Sequence, residues 1–381
     1  MRRRKAERGV GLGRRAAAAR EGVSRILLRM RALVVTPGEA RSARIADVPD
    51  PRPRESEVLV RGVRIGLCGT DHEINAALYG AAPEGSPHLV LGHESLGRIE
   101  RGDGELAAGT YVVGMVRRPD GCPNCQRGEQ DMCLWGKYRE RGIGGLHGFG
   151  SERWTEEPRY LVGVPDVIAE VAVLLEPLTV VEKAVRHAFG AQQRTYWDQR
   201  GALVAGAGPI GILGALVLRL RSFAVTVFER TEKPERSELL TRIGASYAAT
   251  NATPLTEIAA SAGRIDLAIE ATGNANVAFD LAQHLAPNGV LALTSVTGGD
   301  ATATIPTARI NQGLVLGNRL VFGSVNANRI DFENGVRDLG EAERRWPGFL
   351  GSLITRRVPL ADAAAAVVHD PKQIKTVVEL A

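Results

Sequence analysis

One segment constrains the fold more than any other: an apolar run that is broken by glycines and continues as an apolar helix pattern. Residues 202–220, ALVAGAGPIGILGALVLRL, hold Gly206, Gly208 and Gly211 in a GxGxxG spacing. The first glycine permits a tight turn, the second lets the backbone approach a pyrophosphate, and the third allows helix to pack closely on strand. The amide groups that start the helix favour the phosphate charge. This segment therefore predicts dinucleotide binding, with a purely structural turn as the alternative interpretation.

The next strand bears on the choice of dinucleotide. AVTVFE ends at Glu229, 23 positions after Gly206, where a carboxylate accepts hydrogen bonds from an adenosine ribose and favours NAD. Its neighbour Arg230 suits a 2′-phosphate and therefore NADP. Both cofactors stay open, with a slight preference for NAD.

Strand patterns divide the chain into a part in which strands alternate with helices and a part that is rich in short strands. Apolar strands alternate with helical patterns at 202–208, 224–229, 267–273, 290–296 and 319–325. This alternation predicts an α/β fold with a doubly wound parallel sheet, a Rossmann domain over 181–327. Short β-type runs separated by turn residues occur at 32–35, 57–66, 96–100 and 110–116. They predict a β-rich domain over 30–180. Residues 328–381, where the strand and helix patterns are mixed, are expected to complete it.

The basic charge of the chain is confined to its first residues. The formal net charge is +5, but residues 1–29 carry nine Arg and one Lys against Glu7 and Glu21. The remaining residues are therefore slightly acidic, and we expect no nucleic-acid partner. Residues 1–29 are nearly free of large apolar side chains until Ile26 and cannot build a core, so we expect a disordered extension that is dispensable, a contact arm or a targeting segment. No uncharged apolar run reaches the ~18 residues of a membrane helix, so we expect no membrane contact. Only four cysteines occur, three of them clustered, which suggests a reducing compartment and a cytoplasmic protein.

Three stretches carry the residue types of a zinc site with an open coordination position. GLCGTDHE and LGHESLG supply a thiol, a hydroxyl, imidazoles and a carboxylate, and LLEPLTVVEKA adds a second carboxylate. The residues are Cys68, Thr70, His72, His93, Glu94 and Glu176. Each alone has a plainer interpretation, such as a packed cysteine or a satisfied histidine. Together, beside a dinucleotide fold, they favour catalytic zinc.

From Met30 onward the sequence resembles the zinc-dependent medium-chain dehydrogenases. GTDHE, VLGHE, ERGI followed by LHGF, EPLTVVEKA, GPIG, EATG and GSVN narrow the resemblance to archaeal-type glucose 1-dehydrogenases. It implies a GroES-like catalytic domain, built from both ends of the chain, around an inserted Rossmann domain. The implied reaction is transfer of hydride from C1 of an aldose, glucose favoured, to NAD(P)+, which gives the aldonolactone.

The resemblance also implies roles for single residues. Catalytic zinc would be held by members of the set Cys68, His93, Glu94 and Glu176, not all at the same time. Thr70 and His72 would lie near the substrate hydroxyl and pass its proton to solvent, an inert surface His72 being the alternative. The sugar would be contacted by Thr70, Glu140, Glu176 and Asn326. The cofactor would be contacted by Gly206, Gly208, Pro209, Ile210, Gly211, Glu229, Arg230, Thr272, Ser295 and Asn326.

A polar excursion over residues 117–150 is longer than an ordinary connection. It carries Cys122, Cys125 and Cys133 in a C-x2-C-x7-C spacing, and Pro119 stands where related dehydrogenases have the first of four cysteines. Three thiolates and one carboxylate would complete a structural zinc tetrahedron, with Asp120 the first candidate and Asp131 or Glu129 the alternatives. Three reduced thiols without metal are the other interpretation.

Two further functions stay open. One is a zinc-dependent polyol, alcohol or threonine dehydrogenase, although Glu140 and Asn326 would give a polar lining that does not suit simple alcohols. The other is a catalytically silent nucleotide-binding sensor, against which the retained zinc-type residues argue. We also expect a homo-oligomer, because the resemblance implies that the strand RLVFGSV at 319–325 pairs with its copy in a dimer or tetramer. An internal strand is the alternative.

Overall fold

The computed structural model describes residues 29–102, 104–298, 302 and 304–380. The extension predicted for residues 1–29 lies outside the described residues except for Arg29. That residue begins the first strand and pairs with Pro49, and its guanidinium donates to the Asp47 carbonyl at 3.1 Å. The prediction of disorder is therefore wrong for Arg29, because backbone pairing extends the strand by one residue.

The described residues form strands and helices in two groups, first β-rich and then alternating. The strands are β1 (Arg29–Val35), β2 (Arg44–Pro49), β3 (Val58–Leu67), β4 (Leu89–Val90), β5 (Glu94–Arg101), β6 (Tyr111–Gly114), β7 (Arg117–Arg118), β8 (Arg139–Arg141), β9 (Gly145–Leu146), β10 (Arg153–Glu156), β11 (Leu161–Val164), β12 (Gly201–Ala205), β13 (Ala224–Glu229), β14 (Ser246–Ala249), β15 (Leu267–Glu270), β16 (Val290–Leu293), β17 (Leu320–Gly323), β18 (Ile354–Pro359) and β19 (Lys375–Glu379). The helices are α1 (Gly69–Asn75), α2 (Pro123–Gln126), α3 (Leu175–Gln192), α4 (Pro209–Leu220), α5 (Pro234–Arg242), α6 (Leu255–Ala262), α7 (Ala275–His284), α8 (Thr307–Leu316), α9 (Arg329–Arg345), α10 (Phe349–Leu353) and α11 (Ala363–Ala366).

The β-rich part is built around a seven-stranded sheet of order β11-β6-β5-β3-β19-β18, with β10 also paired to β3. Most pairs are antiparallel, whereas β18 and β19 run parallel. The late strand β19 lies between β3 and β18, so residues near 375 complete a sheet that begins near residue 58. Two three-stranded sheets accompany it, β2-β1-β4 and β7-β8-β9, and the second lies in the cysteine-bearing excursion.

The alternating part forms a six-stranded sheet of order β14-β13-β12-β15-β16-β17. All of its pairs are parallel, as the predicted doubly wound fold requires. The strand predicted at 202–208 ends at Ala205, because Gly206 takes a positive φ of 98° and turns the chain into α4. Within the described chain β17 is an edge strand of this sheet, so pairing of 319–325 with another copy stays a prediction.

Helix α3 joins the two parts. Its buried Leu175, Leu178, Val181 and Val185 belong to a core cluster that also contains β-rich residues such as Val113 and parallel-sheet residues such as Val204. The predicted boundary between residues 180 and 181 falls inside this continuous helix, and the boundary at 327/328 falls where Asn328 caps α9. The first turn of α3 therefore lies at the junction of the two sheets.

Within the described residues, no helix combines the length and the apolar character that crossing a membrane requires.

Candidate functional site

Cys68 and His93 lie side by side because their strands are neighbours in the seven-stranded sheet. Strand β3 ends one residue before Cys68, β5 begins one residue after His93, and the register pairs Gly66 with Glu94. Cys68 is the N-cap of α1, where its Sγ accepts the Thr70 N–H at 3.3 Å. Its Sγ lies 3.1 Å from Nε2 of His93, 25 positions later. The sheet thus brings together the thiol and the imidazole of the predicted site.

Asp71 lies next to both of these residues, although it was not among the predicted site residues. The fully buried carboxylate accepts the N–H groups of Cys68 at 3.0 Å and Gly92 at 3.3 Å. It also lies 3.8 Å from Nδ1 of His93, a buried atom without a hydrogen-bond partner among the described residues. Burial alone would lower the pKa of His93, but the charges of Cys68 and Asp71 outweigh it and raise that pKa well above its ordinary value. Nε2 is left facing Cys68, the orientation in which a carboxylate behind a histidine supports metal binding.

Glu94 forms an ion pair with Lys375, which was not among the predicted site residues either. Both oxygens of its buried carboxylate lie 2.6 Å from Nζ of Lys375, the first residue of β19. Burial alone would lower the pKa of Lys375, but the Glu94 carboxylate outweighs it and raises that pKa. A Cβ on Gly66 would lie 1.9 Å from Oε2 of Glu94, so only glycine fits opposite this carboxylate. Glu94 is thus neutralised by a lysine and is less available to an ion than its neighbours.

Glu176 reaches the same cluster from the first turn of α3. Its carboxylate lies within 4.8 Å of ligand atoms of His93 and Glu94. Burial raises the pKa of Glu176 to about 7, with Glu94 adding to the rise and His93 opposing it. The β-rich sheet and the helix at the junction therefore meet at one group of buried ligand atoms.

The donor chemistry of this group fits zinc. Zinc bonds of about 2.0–2.3 Å to thiolate, imidazole and carboxylate place neighbouring ligand atoms roughly 3–4 Å apart. The 3.1 Å separation of Cys68 and His93 and the unpaired Nδ1 backed by Asp71 agree with such a site. Cys68 groups with Asp71 and His93, and Glu176 groups with Glu94 and His93, so His93 is common to both sets. Cys68, His93 and Glu176 are the residues that would hold the ion, since Glu94 is paired with Lys375.

Thr70 and His72, the two residues predicted to transfer a proton, have different surroundings. Thr70 is next to the thiol, since its N–H donates to Cys68 Sγ. His72 is on α1 but turns toward a late segment of the chain, where its Nδ1 accepts the His369 N–H at 3.3 Å and the two rings lie 5.9 Å apart. Its side chain therefore contacts that segment, while its backbone N–H donates to the Cys68 carbonyl at 3.3 Å.

Glu140 and Asn326 come together in space. Asn326 Nδ2 donates to Glu140 Oε1 at 3.1 Å, and Arg117 reaches the same oxygen through Nε at 3.0 Å. Asn326 has a φ of 58°, in the left-handed region where asparagine is one of the few tolerated residues. Glu140 and Asn326, two of the four predicted sugar-contacting residues, thus form one polar surface.

The cysteine-bearing excursion gathers a second group of ligands. The ligand atoms of Asp120, Cys122, Cys125 and Cys133 all lie within 4.8 Å of one another. Cys133 Sγ lies 2.9 Å from Asp120 and 4.0 Å from Cys122 Sγ. Asp131, an alternative fourth ligand in the sequence reading, instead forms a buried ion pair with Lys183 at 2.8 Å. The geometry therefore favours Asp120 over Asp131 as the carboxylate of this group.

The glycine turn has the sterics that its spacing predicts. A Cβ on Gly206 would lie 2.8 Å from the Ala271 carbonyl oxygen, and one on Gly211 would lie 1.8 Å from the Gly206 carbonyl oxygen. Gly208 is the N-cap of α4 and faces open space, with no heavy atom within 4 Å of such a Cβ. Pro209 is the first residue of α4 and Ile210 the second. The turn thus leaves room for a phosphate at the helix N-terminus, as such sites do.

The two residues that bear on the choice of cofactor differ in their surroundings. Glu229 ends β13 and forms an ion pair with Lys233, four residues later. Arg230 is exposed. The carboxylate expected to favour NAD is therefore partly neutralised.

Thr272 and Ser295 meet at a buried carboxylate. Their hydroxyls donate to Glu270 at 2.5 Å each, and the Thr272 and Gly273 N–H groups donate to the same side chain. Glu270 therefore ties the ends of β15 and β16 together beside the glycine turn. The two hydroxyls shape the crevice in this arrangement and are not free to donate to a ligand.

Two family models match the chain. The alcohol dehydrogenase GroES-like domain matches residues 54–166, and the glucose dehydrogenase C-terminus matches residues 169–380. A glucose 1-dehydrogenase of Methanocella arvoryzae is 42% identical over 92% of this chain and 99% of its own length, and one of Thermoproteus tenax is 39% identical over the same shares. The structure of Haloferax mediterranei glucose dehydrogenase in complex with NADP, Zn and gluconolactone is 35% identical, with a TM-score of 0.85 over 92% of this chain and 99% of that one.

Proposed function

Because the chain belongs to the glucose 1-dehydrogenase family of zinc-dependent medium-chain dehydrogenases, we propose that it oxidises glucose at C1. The reaction transfers a hydride from C1 to NAD(P)+ and gives the lactone, as the sugar product in the Haloferax mediterranei complex suggests. The observation that carries the proposal is the contact of Cys68 Sγ with His93 Nε2, 3.1 Å apart, together with the grouping of the same histidine with Glu94 and Glu176.

Cys68, His93 and Glu176 are the proposed zinc ligands. When bound, zinc supplies an electrophile that makes a sugar hydroxyl more acidic. The Asp71 carboxylate lies 3.8 Å from Nδ1 of His93, and Lys375 pairs with Glu94, the residue after His93.

Removal of the hydroxyl proton is assigned to groups on α1. Thr70 lies in the first turn of this helix, where its backbone N–H contacts the thiol, and His72 lies two residues further along. The contact of His72 Nδ1 with the His369 N–H leaves Nε2 as the nitrogen that carries the proton in the neutral ring. We propose that a proton passes from the sugar to Thr70 and from there toward solvent through His72.

Glu140 and Asn326 are the proposed sugar contacts, together with Thr70 and Glu176. A carboxylate and an amide that share one hydrogen bond can accept from and donate to neighbouring hydroxyls of a pyranose. Such a lining discriminates against simple aliphatic alcohols, because buried polar groups without a partner are costly.

The Gly206–Gly211 turn is the proposed pyrophosphate site, and we propose that both NAD and NADP are used. Glu229 supports NAD through the ribose. The ion pair with Lys233 reduces the repulsion that Glu229 would exert on a 2′-phosphate, and exposed Arg230 offers that phosphate a cation.

We also propose a second zinc ion, which would be held by Asp120, Cys122, Cys125 and Cys133.

We propose that the chain forms a homo-oligomer. Strand β17 is an edge strand with Val321 37% exposed, and α8, which precedes it, has no buried residue. These features support association through that edge, because an uncovered apolar edge strand invites pairing. We also propose a reducing, cytoplasmic setting, which the four free cysteines support.

A substrate panel tests the function. Glucose, galactose, xylose, sorbitol, ethanol and threonine are each offered with NAD and with NADP, and reduced cofactor is followed by its absorbance. We expect the highest kcat/KM with an aldose, with gluconolactone as the product of glucose. Preference for a polyol, an alcohol or threonine would contradict the proposal, and silence with every substrate despite bound zinc and nucleotide would favour a sensor.

A further inference from the structure

We infer that Lys183 is a positioning residue of the sugar site, an inference that rests on the function proposed above. Lys183 is on α3, seven residues after Glu176, and is 1% exposed. Seven residues make almost two turns of an α-helix, so the two side chains leave α3 on the same face, about 10 Å apart along the axis. One rigid helix therefore carries both a candidate zinc ligand and this buried ammonium group.

One contact of Lys183 fixes the backbone next to Asn326. Its Nζ donates to the Val325 carbonyl at 2.8 Å. Asn326 follows in the left-handed conformation, at a φ of 58°. A non-glycine residue keeps that conformation when its surroundings hold it there. The lysine therefore holds the peptide that directs the Asn326 amide toward Glu140.

The other contact of Lys183 reaches Glu140 from the opposite side. Nζ lies 2.8 Å from Oδ2 of Asp131, whose carbonyl accepts Nη1 of Arg117 at 3.1 Å. Arg117 in turn contacts Glu140 Oε1 through Nε and Nη2, both at 3.0 Å. The guanidinium also lies 3.6 Å from the centre of the Tyr138 ring, which limits its movement.

These contacts close a ring of buried polar groups. From Lys183 one path runs through Asp131 and Arg117 to Glu140, and the other runs through Val325 and Asn326 to the same carboxylate oxygen. Lys183, Asp131 and Arg117 are each at most 4% exposed. A buried ammonium group is unfavourable unless it is paired, and this one is paired with Asp131 and with the Val325 carbonyl, which link it to Glu140 and to Asn326. The ring thus fixes Glu140 and Asn326 relative to Glu176.

The experiment measures steady-state kinetics of the full-length, zinc-loaded protein and of Lys183→Met. This variant keeps the length and apolar stem of the side chain but removes the donor. We expect KM for glucose to rise about tenfold, the cost of a misplaced hydrogen-bonding pair. We expect kcat to change less than threefold and KM for the nicotinamide cofactor to stay constant, because neither the zinc ligands nor the glycine turn contacts Lys183.

Glu182→Gln is the matched control. Glu182 is the preceding residue on the same helix, is 1% exposed and pairs with Arg221 at 2.8 Å, outside the ring. Its replacement changes a buried polar side chain of α3 and should leave KM for glucose within twofold of the wild type. An equal rise of KM in Glu182→Gln and Lys183→Met would overturn the inference, since it would reflect general damage to α3.

Two further variants keep the test decisive if Lys183→Met folds poorly. Lys183→Met combined with Asp131→Asn removes the carboxylate that the first change leaves unpaired, and Lys183→Arg keeps the charge but changes the reach of the donors. Both should raise KM for glucose, and values within twofold of the wild type in the folded variants would overturn the inference. A wild type that oxidises no aldose would instead overturn the proposed function, so the two failures are distinguishable.

Discussion

The Asn326 side chain donates a hydrogen bond of 3.1 Å to the carboxylate of Glu140, 186 positions earlier in the chain. Glu140 lies on β8 in the cysteine-bearing excursion, whereas Asn326 follows the edge strand of the parallel sheet. The polar surface proposed for the sugar is therefore formed by two separate parts of the chain. Its geometry depends on how those parts are held together.

Glu140→Gln keeps the size of the side chain but removes the charge that pairs with Arg117. We expect kcat/KM for glucose to fall about 10- to 100-fold, because a hydrogen bond to a charged group contributes about 1.5–3 kcal/mol. The measurement is the initial rate at varied glucose, with KM for the cofactor expected to stay constant. Arg139→Gln, an exposed change on the same strand, is the control. Equal rates for Glu140→Gln and the wild type would exclude Glu140 from the sugar site.

Lys375→Met leaves the Glu94 carboxylate buried without its partner. We expect a loss of about 3–5 kcal/mol in the free energy of unfolding, measured by urea denaturation. The added change Glu94→Gln should recover much of that loss, because the uncompensated charge is then gone. Arg344→Met, which breaks a pair to Glu341 with the arginine side chain 70% exposed, should cost less than about 1 kcal/mol. Similar losses in the buried and the exposed variant would contradict the role of the Lys375–Glu94 pair.

Gly66→Ala places a methyl group where Oε2 of Glu94 lies, 1.9 Å from its ideal Cβ position. The carboxylate must move, so we expect less bound zinc and lower activity, measured by metal analysis and by glucose oxidation. Gly340→Ala on α9 is the matched control, because no heavy atom lies within 4 Å of its Cβ position. A mid-helix alanine there should stabilise by up to about 1 kcal/mol. Full zinc content in Gly66→Ala would show that the site tolerates displacement of Glu94.

Asp120→Ala removes the carboxylate from the second ligand group. We expect the wild type to bind two zinc ions per chain and the variant one, with a lower melting temperature, because a structural zinc contributes to folding. Activity per folded molecule should be retained, since the Cys68–His93 site is intact. One zinc ion per wild-type chain would favour three reduced thiols without metal at Cys122, Cys125 and Cys133.

His147 should make the protein less stable in acid. Burial, followed by the charges of His88 and Arg141, lowers the pKa of His147 to about 4. The unfolded chain binds a proton near pH 6.5, where the folded chain does not, so this contribution is present above pH 6.5 and is lost as the pH falls toward 4. His147→Gln should flatten the dependence of unfolding free energy on pH in that window. Parallel pH profiles of variant and wild type would refute the assignment.

Short-range patterns predicted much of the fold and part of the site. The parallel strands, the glycine turn and the meeting of Cys68 with His93 follow from periodicity, from glycine sterics and from the resemblance. Asp71 had a local signal as well, since it stands at the third helical position after an N-cap, where a capping box places a carboxylate. Reading that position as a cap would have identified the residue that orients His93.

The remaining features depend on long-range packing. Nothing near Lys375 in the sequence indicates that it pairs with Glu94, 281 positions away, because the pairing requires β19 to lie beside β3. In the same way, the ring through Lys183 requires α3, the cysteine-bearing excursion and the end of β17 to be packed together. Tertiary contacts of this kind have no periodicity that a single sequence reveals.

The place of β19 has a consequence for biosynthesis. A ribosome releases this strand after every other described strand, so the parallel sheet is complete while a gap remains between β3 and β18. Until Lys375 emerges, Glu94 has no counter-charge and the sheet that carries Cys68 and His93 is unfinished. Completion of the β-rich sheet around Cys68 and His93 therefore waits for β19, and a chain that stalls before Lys375 is made would hold a finished parallel sheet beside an unfinished ligand cluster.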